Sequence, residues 1–285
     1  WLRYTWYLKE KTDAQWAALA KRLHEGQIRY AFCHVRSIAP DGRLRYRDRE
    51  RARALVRRLH RLAPDTRAIA WIYAENKPGD YWVDVADPAI RARMVQEAVW
   101  LVTACGFDGV QWDYEVIRNG DPLLPALLCE TRAALPAGAF LSVCTPPWYP
   151  GAATRVYGWD EAYFAEVARH CDQVAIMGYD TGMPLPRSYA WLMAQQAIRV
   201  PRALLRGNAG CRVLFGVPTY DAVTKSHYPA VENLSVALKG LRDGLRDPRT
   251  VRSACDGVAL FAEYTTSDEE WQIYRQLWPA SAGMP

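Results

Sequence analysis

The segment Gly106-Phe107-Asp108-Gly109-Val110-Gln111-Trp112-Asp113-Tyr114-Glu115 holds the densest set of groups able to do chemistry. It reads as a strand, and strand side chains alternate between two faces. Gln111, Asp113 and Glu115 therefore point one way, and Trp112 and Tyr114 the other, into a helix layer. Two acids at successive inward positions near a strand's C-terminal end are costly for folding alone. Their proximity is expected to raise one pKa, leaving a protonated acid beside an ionised neighbour near neutral pH. Glycosidic cleavage needs that pairing: one acid protonates the leaving oxygen, and a second group stabilises positive charge at the anomeric carbon. The residues alone leave a second reading open, a structural carboxylate pair held by Arg or backbone donors.

The elements that must position these groups alternate along the chain. Strand-like runs are Leu2–Tyr7, Ile28–His34, Arg67–Tyr73, Gly109–Tyr114, Phe140–Cys144, Gln173–Gly178, Val213–Val217 and Gly257–Phe261. Between them, apolar residues recur at helical spacing: Ala52, Leu55, Val56, Leu59; then Ile90, Met94, Val95, Ala98, Leu101, Val102; then Leu234, Ala237, Leu238, Leu241. Asp87-Pro88 supplies an N-cap and a proline at the first helical position. Eight strands alternating with helices predict an α/β fold, a single-domain (β/α)8 TIM barrel over residues 1–285. A doubly wound open sheet is the alternative, and no GxGxxG follows the first strand to support it. The loops after the third to sixth strands, Ala74–Asp87, Glu115–Pro122, Thr145–Trp159 and Thr181–Arg187, would form the C-terminal face, where barrel active sites are built.

The chain has 285 residues, with 36 Lys+Arg against 31 Asp+Glu and a formal charge of +5. That balance is too mild for a nucleic-acid partner, which calls for a concentrated basic stripe. No run reaches the ~18 apolar residues of a membrane span. The seven Cys form no CxxC pair and the five His are scattered, so neither a metal nor a cofactor is expected. Cys105, Cys171, Cys211 and Cys255 precede strands; they read as small buried hydrophobes, with one disulfide as the alternative. The chain begins at Trp1 rather than Met. A targeting segment is expected to have been removed, and export to be favoured over a cytoplasmic location. The expected oligomeric state is a monomer.

The stretch around Glu115 resembles the DGxDxDxE signature of family 18 glycoside hydrolases, the chitinases and endo-β-N-acetylglucosaminidases. Asp108, Asp113 and Glu115 match, and Gln111 stands where the middle Asp belongs. Tyr30-Ala31-Phe32 is similar to the strand-two FAF/YAF, Met177-Gly178-Tyr179-Asp180 to MxYD, and Gly216-Val217-Pro218-Thr219-Tyr220 to GxPxY. Gly257-Val258-Ala259-Leu260-Phe261 resembles GVMxW with Phe for Trp, and Ala70-Trp71-Ile72-Tyr73 replaces the strand-three SxGG. The resemblance implies that Glu115 is general acid and then base, and that the substrate's own 2-acetamido oxygen attacks the anomeric carbon with net retention. Asp113 would orient the acetamide N–H, Tyr179 would hydrogen-bond the acetamide, and Asp180 would support the −1 sugar. Gln111 cannot share a proton as the motif Asp does, though it can hydrogen-bond Asp113. Its neutrality should lower the pKa of its acidic neighbours. Substrate-binding roles fall to Gln111, Asp180, Tyr220, Phe261, Trp148, Met177 and Tyr73.

Residues 221–230 leave no room for the extra subdomain that many such chitinases carry after strand seven. An open cleft is expected, suited to internal cleavage of chitin-like, peptidoglycan-like or N-glycan chains. Tyr81, Trp82, Trp148, Tyr149, Tyr157, Trp159, Tyr220 and Tyr228 are candidate subsite aromatics, and Glu75, Asn76 and Glu263 candidate cleft residues. Two other classes compete. One is a non-catalytic carbohydrate-binding relative, which retention of Glu115 disfavours. The other is a glycosidase for sugars lacking the acetamido group, with Asp113 as nucleophile.

Overall fold

Short runs of Val, Ile, Phe and Tyr become strands because each pairs its backbone with a neighbour while burying both faces. A computed structural model of the chain describes residues 1–151 and 158–278. The residues cluster into two units, Trp1–Ile117 with Asp121–Cys144, and Arg118–Gly120 with Thr145 onward.

The first unit carries β1 (Tyr30–Ser37), β2 (Arg67–Glu75), β3 (Gly109–Glu115) and β4 (Phe140–Thr145, its last residue counted in the second unit). They pair in parallel in chain order. The register sets side chains in rows: His34 opposite Trp71, Trp71 opposite Gln111, Gln111 opposite Ser142. One step further on, Tyr73 faces Asp113, and after it Glu75 faces Glu115. Gly109 opens the motif strand because a Cβ there would lie 2.1 Å from the Phe140 carbonyl oxygen. Around the strands lie α1 (Thr5–Leu8), α2 (Asp13–Glu25), α3 (Arg49–Leu62), α4 (Pro88–Thr103) and α5 (Leu123–Ala134).

The predicted helix faces are largely the buried ones, with Ile90 and Val102 of the expected α4 stripe half-buried. Ala52, Leu55, Val56 and Leu59 of α3 are buried, as are Met94, Val95, Ala98 and Leu101 of α4. Burying each large aliphatic contributes about 1.5–3 kcal/mol. Asp87 caps α4, accepting from the Ala89 N–H at 2.7 Å.

The second unit carries α6 (Glu161–Ala168), β5 (Gln173–Met177), α7 (Pro186–Gly207), β6 (Arg212–Pro218), α8 (Leu234–Arg246), β7 (Cys255–Phe261) and α9 (Asp268–Leu277). Its strands are again parallel in chain order. The α8 stripe of Leu234, Ala237, Leu238 and Leu241 is buried.

The expected first strand, Leu2–Tyr7, is corrected. Leu2 makes a single parallel bridge to Cys33, and Thr5–Leu8 turns into α1. Trp6 and Tyr7 are both buried, but as residues of this short helix and not of a paired strand. Trp6 packs edge-on against Trp16 of α2, and the Tyr7 hydroxyl accepts from the Asp48 N–H. The described residues thus hold seven parallel strands rather than the eight of a closed (β/α)8 barrel. All seven cysteines are free thiols, and Cys171 and Cys211 lie with their sulfurs 3.9 Å apart. No helix of the described residues is long and apolar enough to cross a membrane.

Candidate active site

In the first unit the inward row of β3 forms a polar string through an apolar interior. Gln111 is fully buried, and both ends of its amide are engaged. Its oxygen accepts from Trp1 Nε1 at 2.8 Å, and its nitrogen donates to Ser142 Oγ at 3.0 Å. The anticipated bond from Gln111 to Asp113 is therefore not made. The alternation of β3 is as expected on the other face: Trp112 points to the helix layer and donates to Thr131 of α5 at 3.1 Å.

Asp113 takes its partner from the adjacent strand. Trp71 Nε1 donates to its Oδ2 at 2.7 Å, while Oδ1 is buried and accepts no hydrogen bond. Trp71 is fixed in turn by stacking on His34, with ring centroids 4.1 Å apart. Burial pushes the Asp113 carboxyl up to about 6, against the opposing pull of the Trp71 donor and, more weakly, of the Cys144 thiol on β4. The neutral Gln111 was expected to lower this group; withdrawal from water outweighs it.

Glu115 ends β3 and is half-buried. Its Oε2 lies 3.5 Å from the Tyr73 hydroxyl, which also donates to Glu75. The next residue, Val116, has φ +62°, a left-handed conformation rare for a β-branched side chain. The chain turns at once after the acid, and such local strain costs of order 1–3 kcal/mol. Asp108, the first acid of the motif, sits at the other end of β3. It accepts from the Ala68 N–H at 2.7 Å and faces His60 Nε2 at 2.9 Å, a structural tie between α3, β2 and β3.

In the second unit, Met177 closes β5 and Tyr179 and Asp180 follow it. The Tyr179 ring stacks on Phe261 at the end of β7, with centroids 4.6 Å apart and planes 16° apart. Tyr220, just past β6, meets both rings edge-on and donates from its hydroxyl to Asp180 Oδ1 at 2.8 Å. These four residues are thus brought together. The peptide between Phe261 and Ala262 is cis, and Asp180 has φ +55°.

Behind this group lies a buried pair that sequence reasoning did not single out. His227 and Glu232 both have 0 % exposure. His227 Nδ1 is 3.3 Å from Glu232 Oε2, and its Nε2 is 3.1 Å from the Tyr220 carbonyl oxygen. Glu232 also accepts from the Thr181 N–H at 3.1 Å, the Thr181 hydroxyl and the Met183 N–H at 3.3 Å. The pair holds the loop after β5 to the loop after β6. Glu232→Ala would strand those donors in the interior, so a loss of about 3–5 kcal/mol is expected. Thermal unfolding should show a midpoint lower by several degrees, and a shift under one degree would show the pair to be idle.

The candidate aromatics divide by exposure. Tyr81, Trp82 and Tyr228 are exposed. Trp148, Tyr149 and Trp159 are buried; Trp148 bridges to Trp159 and lies under the Arg199 guanidinium at 4.4 Å. Tyr157 lies outside the described residues. No group of three or more His, Cys, Asp or Glu able to hold a metal ion occurs among the described residues.

Neither a family model nor a curated protein matches the chain. Solved structures do. The chain is similar to the chitinase from Chromobacterium violaceum ATCC 12472, with TM-score 0.61 and 16 % identity over 94 % of this chain and 96 % of that one. It is similar to the class V chitinase from Pseudomonas fluorescens Pf-5, with TM-score 0.59 and 16 % identity over 93 % and 97 %. The Bacillus cereus spore cortex-lytic enzyme SleL matches with TM-score 0.61 and 13 % identity over 94 % and 71 %. In two other matches the chain spans 61 % and 64 % of the matched protein's length. At these identities the likeness is one of fold.

Proposed function

We propose that this chain is a family 18-like glycoside hydrolase that cleaves glycans containing β-linked N-acetylglucosamine. The observation that carries the proposal is Asp113. Its buried Oδ1 lacks a donor, and a buried acceptor without a partner costs about 1–3 kcal/mol. An acetamide N–H supplies that donor. Glu115, two residues on along the same face of β3, is the group to protonate the leaving oxygen and later to activate water. The substrate's acetamido oxygen is the nucleophile, and Asp113 stabilises the positive charge that grows on its nitrogen. The roles of Tyr179 and Asp180 rest on the resemblance of Met177–Asp180 to MxYD, and the flat pair Tyr179–Phe261 supports an apolar face for a sugar ring. The chitinase-like and SleL-like fold favours a polysaccharide substrate and an exported enzyme acting as one catalytic domain.

Chito-oligosaccharides, peptidoglycan and a high-mannose glycopeptide, each incubated with the protein and its Glu115→Gln variant, test the reading. Cleavage of at least one by the native chain alone is expected. Silence on all three, with binding retained, would favour a carbohydrate-binding protein instead.

Gln111→Asp gives a further expectation. The shorter side chain loses the donor to Ser142 and buries a second carboxylate on the Asp113 face. Stability should fall by several kcal/mol, and the rate should fall rather than rise. The added charge should push Asp113 further up. Overlaying the pH–rate profiles of both proteins decides this, and a faster variant would show that a shared proton limits turnover in the native chain.

A further inference from the structure

We infer that Arg36, with His34 beside it, forms a subsite at the C-terminal end of β1 for a carboxylate carried by the glycan, so that the substrate is an acidic chain rather than neutral chitin. The inference rests on the reading of Asp113 as the partner of an acetamide. Within four consecutive residues of β1, His34 Nε2, Arg36 Nε and Ser37 Oγ are buried, and none has a hydrogen-bond partner. Buried polar atoms in folded proteins are nearly always paired, so three such atoms at one strand end require a partner from outside the fold. Arg36 forms no ion pair with the described residues. The carboxylates of the neighbouring segments are matched elsewhere: Asp41 with Arg43, Asp48 with Arg51, Glu97 with Arg47. Residues 36–48 carry four arginines against two aspartates, which leaves this stretch positive.

The fold aims the guanidinium rather than leaving it to wander. Arg36 has φ +76°, and the strand register slips between His34 and Ser37. A bulge of this kind bends the strand and turns a side chain to a new direction. The chain then doubles back: Ile38 bridges Leu44, and the Arg45 N–H donates to the Ser37 carbonyl at 3.0 Å. This returns Tyr46 to Arg36, and the Tyr7 hydroxyl donates to the Tyr46 carbonyl at 3.0 Å. The Arg36 guanidinium lies over the Tyr4 ring at 4.6 Å and over the Tyr46 ring at 5.4 Å. Ring faces hold a guanidinium without neutralising it, and they leave the donors along its edge for a bidentate carboxylate. Tyr46 is exposed, so the cluster opens to solvent. Tyr4 also meets the His34 ring edge-on at 6.3 Å. Burial, and next the Arg36 charge, hold His34 down to about 4. Its ring is therefore neutral at pH 7 and offers Nε2 for one hydrogen bond beside the charged group.

This cluster adjoins the Asp113 row within the first unit. His34 stacks on Trp71, and Trp71 donates to Asp113. Past the bulge, Ser37 is in register with Tyr73, and Tyr73 with Asp113. Two strand spacings, about 10 Å, separate this end of β1 from Asp113, within reach of the sugar next to one held there. A neutral sugar offers Arg36 hydroxyls alone, whereas a carboxylate matches both its charge and its fork.

The test is binding, measured by calorimetry on Glu115→Gln so that no ligand is consumed. Three oligosaccharides of equal length are compared: chitin-derived, muramic acid-containing and hyaluronan-derived. The second carries its carboxylate on a lactyl ether and the third on a uronic acid. At least one acidic ligand should bind roughly ten-fold or more tightly than the neutral one, the usual worth of a charge-assisted hydrogen bond, and the one that does so identifies the source of the carboxylate. Adding Arg36→Gln should erase the difference while leaving the neutral ligand's affinity nearly unchanged. Arg36→Lys keeps the charge without the fork and should retain part of the difference. Near-ultraviolet circular dichroism confirms the fold of each variant. Acidic ligands that bind no better than the neutral one overturn the inference before any change at Arg36 is made, and so does a preference that survives Arg36→Gln. An Arg36-dependent preference in a protein whose native form cleaves none of the three would sustain the subsite and remove the reading as a hydrolase.

Discussion

Glu115→Gln is expected to cut turnover at least ~10²-fold while leaving the fold intact, the usual worth of a general acid. The amide is nearly isosteric and can keep the contact to Tyr73, but it has no proton to lose to a leaving oxygen. Substrate binding should persist, so kcat falls with little change in KM. The residue ends β3 half-buried, where exchanging a carboxyl for an amide of the same shape does not disturb the core. Near-normal rates in this variant would remove Glu115 from the acid role. A leaving group that needs no protonation should recover much of the first step, which separates a missing acid from a misshapen site.

Asp113→Asn should be as severe for activity and opposite in sign for stability. Burial pushes the carboxyl up to about 6 in the folded protein, against 3.8 for the ordinary group. The folded state therefore holds its proton over a range in which the unfolded chain has lost it. Stability is fullest below about pH 4, falls as pH rises to about 6, and stays lowered above that. The shift corresponds to a cost of about 2–3 kcal/mol at neutral pH. Asparagine is neutral, and its oxygen can still accept from Trp71, so the cost of the buried charge disappears, offset in part by an amide N–H without a protein acceptor. The variant should unfold at a higher temperature than the native protein at pH 7, and the gap should close towards pH 4. Lost activity together with raised stability would mark Asp113 as a group kept for chemistry against folding. A variant that is both active and no more stable would point to a structural carboxylate. Activity lost even on substrates without an acetamido group would favour Asp113 as nucleophile.

Much of this arrangement is legible in the sequence because it depends on local periods. Alternation along Gly109–Glu115 is enough to put Gln111, Asp113 and Glu115 on one face and Trp112 on the other. Helical spacing marks the buried stripes of α3, α4 and α8. The failure at Leu2–Tyr7 has a physical cause. Aromatic residues favour strands, yet Trp6 and Tyr7 are buried side by side by packing on α2 and by the tie of Tyr7 to Asp48, neither of which is local. The partners of the acids are hidden for the same reason. Trp71, Ser142 and Glu75 reach the β3 row through strand register, and alternation assigns a face without assigning a neighbour. Trp1 lies 110 residues from Gln111 in the chain. A run such as Ala70-Trp71-Ile72-Tyr73-Ala74-Glu75, polar or aromatic at every second position, is the one signal that a second strand contributes to the site. His227 and Glu232 sit in a loop with no period at all, and only their burial shows what they do.

The measurement that tests the central claim most directly is the anomeric configuration of the first product. Proton NMR during the opening minutes of chito-oligosaccharide cleavage distinguishes the β-anomer from the α-anomer before mutarotation mixes them. Attack by the substrate's acetamido oxygen, followed by water on the opposite face, predicts the β-anomer and retention. The α-anomer appearing first would mean direct attack by water, and would contradict the roles of Asp113 as stabiliser of the acetamide and Glu115 as acid and then base.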